Sequence, residues 1–344
     1  MSGSRARLPA RVLALALGAL LLAAGCQSAP PAAVPGAASF APSQVDPAVR
    51  VAEFELEDPA RPRRIPIRVA YPSAPQRGAA AGRALPLVLF SHGAYSSKDD
   101  YAPVTDRWAA RGYVVVSVTH TDSVSLGAVR FKPTPGAWSG RLADLKFLLA
   151  DPAALERAVP ALRGRIDFQR IAIAGHSLGG MVAQAFGGMT GVNVETRERY
   201  ALHDPRIRAV VVLSGVGPLP PATEAADFAS LSTPLFVSVG TQDLPMPQRV
   251  GKGGLELRRE PFELAPPGHK YLLVLEGADH YLGGMVGRDD LPKSPQGALY
   301  VEAFDELSGR FLDAWLKGDR QARQELDRLA LPAAFAGVAS LSRG

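Results

Sequence analysis

Five short runs in this chain are almost wholly apolar: VVVSV at 114–118, IAIA at 171–174, AVVVL at 209–213, LFVSV at 235–239 and YLLVL at 271–275. A strand without polar alternation has both faces covered, as in a mostly parallel sheet with helices packed on each side. This reading places strands at Tyr113–Thr119, Arg170–Ala174, Ile207–Leu213, Leu235–Gly240 and Tyr271–Glu276. Three more precede them, at Val51–Leu56, Ile65–Tyr71 and Leu85–Phe90. The first two alternate in polarity and are spaced like a hairpin, so they read as an antiparallel edge. Helical stretches fall between, near Tyr101–Arg111, Leu142–Leu149, Pro152–Leu162, Leu178–Gly187 and Ala298–Lys317. From Asp319 on, the chain reads as a terminal helix or a loose tail. Alternating β and α elements predict one doubly wound α/β domain over 49–344, with an eight-stranded, mostly parallel sheet.

Before that domain lies a different kind of sequence. Arg5, Arg7 and Arg11 form a basic head, and 12–24 is an unbroken run of apolar residues and glycine. The run is shorter than the ~20 residues a membrane-spanning helix needs, and it matches the apolar part of a secretory signal. It ends Leu22-Ala23-Ala24-Gly25-Cys26, and small residues directly before a cysteine resemble the bacterial lipobox. The resemblance implies a lipoprotein signal over 1–25 and lipid attachment at Cys26; the alternative is an ordinary secretory signal with an incidental cysteine. Localisation in the bacterial cell envelope follows, with the membrane as a partner through the lipid anchor. Residues 26–48, rich in Ala and Pro, read as a tether. Cys26 is the one cysteine, which excludes an intramolecular disulfide and cysteine chemistry in the domain. The net charge is +5; the three head arginines account for three units and leave +2. That balance does not argue for a nucleic-acid partner.

The chemistry is concentrated in Gly175-His176-Ser177-Leu178-Gly179. This is G-x-S-x-G after a predicted strand and before a predicted helix, the context that a nucleophile elbow requires. Side chains two residues either side of the serine would collide with neighbouring backbone, hence the glycines. Ser177 is the candidate nucleophile. A serine hydroxyl is weak at its own pKa and needs a base, which in turn needs an orienting acid.

In an open α/β sheet, functional groups gather at the carboxyl ends of strands. His280 follows the last predicted strand and is the candidate base. His92, His120 and His176 precede Ser177, whereas the expected chain order is Ser, acid, His. His203 and His269 stand at the amino ends of their strands. Asp243 lies just past the strand LFVSVG and is the candidate acid; Asp279 is adjacent to His280 and badly placed to reach its ring, and Asp204 precedes a strand. The turn Ser91-His92-Gly93-Ala94-Tyr95 follows the third strand. The backbone N–H groups of Ala94 and Leu178 are the candidate oxyanion donors, with Tyr95 as runner-up for the first. His92 reads as stabilising this loop. Two stretches, 121–138 and 215–231, are candidates for a lid or acyl pocket, and Trp138 and Tyr95 for either aromatic substrate contacts or ordinary packing. No metal-ligand spacing, phosphate loop or dinucleotide fingerprint occurs, so neither a cofactor nor a metal is expected.

These residues, with FSHG, RWAARGYVVVSVTH, RLADLKFLL, RIDFQRIAIAGHSLGG, GTQDLP and GADH, resemble the α/β-hydrolase superfamily. Within it the chain is similar to bacterial dienelactone-hydrolase-like esterases akin to platelet-activating-factor acetylhydrolases and cutinase-like polyester hydrolases. The resemblance covers about residues 50 to 315. It implies a cofactor-free Ser-Asp-His carboxylester hydrolase acting on short-chain or lipid-like esters, with Ser177, Asp243, His280, Leu178 and Ala94 at the family positions. True dienelactone hydrolases use a cysteine nucleophile, and the polyester hydrolases usually carry other elbow residues and a C-terminal disulfide. Three classes stay open: an esterase or lipase, cutin-like polyester hydrolysis included; another hydrolytic or acyl-transfer use of the same groups; and a non-catalytic binding lipoprotein on this fold.

Overall fold

The apolar runs do become the centre of a sheet. The computed structural model describes residues 48–74, 82–132, 134–244 and 251–344. The expected signal segment, Cys26 and the tether as far as residue 47 lie outside them. Two long strands, β1 (Val49–Asp58) and β2 (Arg63–Pro72), pair antiparallel as a hairpin. Then come β3 (Leu85–Ser91), α1 (Ala102–Ala110), β4 (Val114–Val118), α2 (Ala137–Ala150), α3 (Ala154–Ala158), β5 (Ile166–His176) and α4 (Leu178–Phe186). A two-residue hairpin, β6 (Gly191–Val192) and β7 (Arg199–Tyr200), stands apart from the main sheet. The chain continues through β8 (Ile207–Leu213), β9 (Leu235–Gln242), α5 (Gly254–Leu264), β10 (Lys270–Asp279), α6 (Gly297–Leu312), α7 (Arg320–Asp327) and β11 (Ala339–Arg343).

The sheet order is β1-β2-β4-β3-β5-β8-β9-β10-β11. Strands β4, β3, β5, β8, β9 and β10 run parallel. The sheet has nine strands, which corrects the expected eight. The additional strand is β11, antiparallel to β10, in the segment expected to be a helix or loose tail. Its five residues, Ala-Ser-Leu-Ser-Arg, bury one apolar side chain, Leu341, and so give little hydrophobic signal. The helix α5 was not expected either. Pro261 interrupts its helical pattern, and charged residues break up its apolar face.

Side chains alternate across each strand, and the core divides accordingly. Leu87, Leu89, Val114, Val116, Ile171, Ile173, Val210, Val212, Val237 and Val239 face one layer with Leu145 and Leu148 of α2 and Val182 and Phe186 of α4. Val88, Phe90, Val115, Ala172, Val211, Phe236 and Leu273 face the other, with Trp108 of α1 and Tyr300, Phe304 and Phe311 of α6. Trp108 brings a polar group into that layer and satisfies it, its Nε1 donating to Ser308 Oγ at 3.0 Å. Each such large side chain, fully buried, contributes about 1.5–3 kcal/mol. The six parallel strands thus form a rigid platform whose carboxyl ends all open on one side. Among the described residues no helix is long and apolar enough to cross a membrane.

Candidate active site

The turn after β5 holds Ser177 at φ 52° and ψ −116°, a conformation that L-residues avoid. It persists because its neighbours leave no alternative. A Cβ on Gly175 would lie 2.2 Å from Gly179 O, and one on Gly179 would lie 1.9 Å from Ser91 O. Both contacts are with backbone, which cannot swing aside. The first turn of α4 is therefore seated directly on the end of β3. Ser177 N donates to Leu213 O at the end of β8 (2.9 Å), and Ser177 O receives Met181 N (3.2 Å). The amide of Leu178 opens α4, where no intrahelical acceptor exists, and the positive end of the helix faces the serine. Among the described residues, no hydrogen bond uses the Ser177 hydroxyl.

Register brings the next two groups together. Asp279 of β10 is the cross-strand partner of Gln242 of β9, beyond an irregularity that follows Leu275. The residues that follow each, His280 and Asp243, leave the parallel strands side by side. His280 Nδ1 donates to Asp243 Oδ1 at 2.7 Å, and both side chains are buried. Leu244 N donates to the same oxygen at 2.7 Å. With the Nδ1 proton committed to the carboxylate, the neutral ring has its Nε2 lone pair available. Burial alone would raise the Asp243 pKa. The His280 hydrogen bond, the charges of His280 and Arg258, and the Ser214 hydroxyl outweigh it and hold the carboxyl below its ordinary value. Arg258, on α5, stands 3.5 Å from Asp243 Oδ1 and donates to the carbonyls of Ser214 (3.1 Å) and Gly215 (3.2 Å).

The link between His280 and the elbow is His176. The two rings are 4.5 Å apart between centroids, and His176 Nε2 donates to His280 O at 2.8 Å. Its Nδ1 must then accept, and the Tyr101 hydroxyl donates to it at 2.7 Å. Tyr101 in turn accepts from Gly93 N at 3.1 Å. Burial first, then the nearby His280, pushes the His176 pKa well below its ordinary value, so the ring is neutral and the direction of these bonds is fixed. A Cβ on Gly93 would stand 2.6 Å from His176 Nδ1, which packs the turn after β3 against the residue preceding Ser177. Ala94 and Tyr95 follow, both partly exposed, and among the described residues neither amide donates a hydrogen bond.

The remaining sequence candidates fall elsewhere. Asp279 accepts from the amides of Tyr281 (3.0 Å) and Gly283 (2.6 Å), shaping the loop that carries His280. Asp204 pairs with Arg206. His269 lies against Trp315 and Arg323. His120 is buried, neutral, and pushed down to about 4 by burial and the charge of Arg141; its Nδ1 donates to Asp144 at 2.9 Å. Trp138 is in the core and packs on Tyr200, which favours the packing role. Tyr95 instead stands at the rim, 6.0 Å from the ring of Phe131, which is 83% exposed. Sequence reasoning missed Tyr101, Arg141 and Arg258. Only Arg141 carried a signal: it shares the i, i+4, i+7 stripe of Leu145 and Leu148, and a charge on a buried stripe demands partners.

A mostly parallel sheet in this order, a strained serine between strand and helix, and a buried carboxylate–imidazole pair on the neighbouring strand ends together define the α/β hydrolase class. A family model described as "Alpha/beta hydrolase family" matches residues 88–340, and the chain belongs to that family. It is also similar to a platelet-activating factor acetylhydrolase from Cavia porcellus, 23% identical over 134 residues. That alignment covers 29% of this chain and 31% of the relative, so the chain spans less than a third of the protein it matches.

Proposed function

We propose that the protein is a serine carboxylester hydrolase acting on short-chain or lipid-like esters. The observation that carries this reading is the 2.7 Å Asp243–His280 pair, held by His176 beside the strained Ser177. Ser177 Oγ attacks the ester carbonyl while His280 Nε2 takes its proton. Asp243 keeps the Nδ1 tautomer and stabilises the imidazolium as it forms. The oxyanion receives the N–H of Leu178 and of Ala94, with Tyr95 as the alternative to Ala94. Preorganised donors of this kind are worth roughly 3–4 kcal/mol each. The alcohol leaves with the proton from His280, and an acyl group remains on Ser177. Water then attacks through the same base and releases the acid. An acetylhydrolase among its relatives supports an ester substrate. The basic head, apolar run and Cys26 support export to the cell envelope and lipid anchoring there, which radiolabelled palmitate, retained by the wild type and lost in Cys26→Ala, would test.

The experiment is to incubate the full chain with p-nitrophenyl esters of rising acyl length and, separately, with a fluorophosphonate label read by mass spectrometry. Turnover, with the label on Ser177 and both lost in Ser177→Ala, is the expected result. A folded protein with neither turnover nor label overturns the enzymatic reading in favour of a binding lipoprotein.

A further inference from the structure

Arg141 is fully buried on α2, and apart from a bidentate pair with Asp122 its hydrogen bonds bear on the end of β3 and the turn after it. Its Nε and Nη2 donate to the two oxygens of Asp122 at 2.9 and 2.8 Å, and Asp122 is buried as well. The carboxylate thus neutralises the charge and sets the plane of the guanidinium. The rest of the fork is spent on main chain and its supports. Nη1 donates to His92 O at 2.5 Å and to Ser91 Oγ at 3.3 Å, and Nη2 donates to Gly93 O at 3.1 Å. A second donor meets the same Gly93 carbonyl. His92 Nε2 accepts from the amide of His120 at 2.9 Å, so its Nδ1 carries the proton and donates to Gly93 O at 2.6 Å.

The carbonyl of Gly93 and the amide of Ala94 belong to one planar trans peptide and point in opposite directions. The Ser96 amide is a third donor to this carbonyl, at 3.3 Å, and together they fix the carbonyl and aim the Ala94 N–H the opposite way, on the side away from Arg141. The guanidinium and imidazole N–H groups on the oxygen also polarise the peptide and strengthen its N–H as a donor. The preceding peptide is pinned the same way, its carbonyl on Arg141 and its Gly93 N–H on Tyr101. No such restraint acts on the next peptide: the Ala94 carbonyl has no partner among the described residues, so Tyr95 N–H is not aimed.

We propose that Arg141, oriented by Asp122, is a positioning residue that presets and polarises the Ala94 amide as the second oxyanion donor. This rests on the hydrolase reading above, and it selects Ala94 over Tyr95.

The test compares the full-length wild type with Arg141→Lys. Lysine keeps the buried charge for Asp122 but cannot reproduce the planar fork to both carbonyls. Three quantities are read: kcat and KM on a p-nitrophenyl ester, affinity for a trifluoromethyl ketone that forms a charged tetrahedral adduct on serine, and the amide NMR resonances of Ala94 and Tyr95. The expected result is a fall in kcat of about 10- to 100-fold with KM within about threefold. Ketone affinity falls by a similar factor, and the Ala94 amide resonance moves more than that of Tyr95. A folded Arg141→Lys that keeps wild-type ketone affinity, or in which the Ala94 amide does not move, overturns the proposal. A wild type without ester turnover would sink the hydrolase reading instead, and the Ala94 resonance would still decide whether Arg141 sets that peptide. Should Arg141→Lys fail to fold, Asp122→Asn replaces it, leaving the guanidinium in place without the carboxylate that aims it, with the same outcomes expected.

Discussion

The ring of His176 donates to the main-chain carbonyl of His280 at 2.8 Å across 104 residues of sequence. One buried, neutral imidazole therefore couples the elbow to the loop of the candidate base, and through Tyr101 to the turn after β3. Three loops from three strand ends are held to each other through these bonds.

Tyr101→Phe tests that coupling. The change preserves the apolar ring and removes the hydroxyl that serves Gly93 N and His176 Nδ1. Two buried groups lose their partner, each at a cost of about 1–3 kcal/mol. We expect a loss of roughly 2–4 kcal/mol of unfolding free energy by urea titration, and a kcat that falls more than KM rises. Wild-type stability and kinetics in this variant would mean that the relay is incidental.

Strain at Ser177 can be measured separately from its chemistry. Both Ser177→Ala and Ser177→Gly remove the hydroxyl, but only glycine tolerates φ 52° without cost. Relief of about 1–3 kcal/mol of strain, less the ~0.5–1 kcal/mol that glycine adds in chain entropy, leaves a net gain. The glycine variant should be more stable than the alanine variant by about 1 kcal/mol in urea unfolding. An alanine variant of equal or greater stability would remove the case for a strained elbow.

A further expectation concerns pH, away from the site. Asp305 of α6 is buried, and burial pushes its pKa up to about 6 despite Arg111 and Arg107, each 4.0 Å away, with Glu306 and Asp313 adding to the rise. In the unfolded chain it titrates near an ordinary carboxylate. Between about pH 4 and 6 the folded state binds the extra proton, so this group's contribution to stability declines as pH rises through that window and stays low above it. A shift of two units corresponds to about 3 kcal/mol. Asp305→Asn should therefore gain on the wild type at pH 7.5 relative to pH 4.5, read as the difference in urea midpoints. A difference that does not change with pH would contradict this account.

How far the sequence reaches depends on whether a signal is local. The parallel core is written in runs such as AVVVL and YLLVL, because burial on both faces leaves no polar residue in the strand. The pairing of Asp243 with His280 follows from their position just past strand ends, given that parallel neighbours release their chains on the same side. Strand β10 runs to Asp279, past the expected end at Glu276, because Glu276 and Gly277 break its apolar run before Asp279 rejoins β9. The supports of the site are a different matter. Tyr101 precedes an ordinary amphipathic helix, and Arg258 sits in a proline-interrupted one; neither spacing shows what lies across the fold. Their roles arise only when loops distant in sequence meet. The same holds for β11, whose pairing is dictated by the open edge of β10 rather than by its own composition.

That last strand has a consequence for how the molecule behaves in company. The backbone of β10 from Tyr271 to Leu275 is paired on one side by β9 and on the other by β11. Without residues 339–343 it would present a bare, apolar ribbon edge, the template on which a strand from another molecule adds. Outward-facing Ser340, Ser342 and Arg343 make the covering strand polar where it meets water. Five residues remote from any chemistry thereby replace an apolar open edge with a short polar one, and a truncation placed there would uncover it.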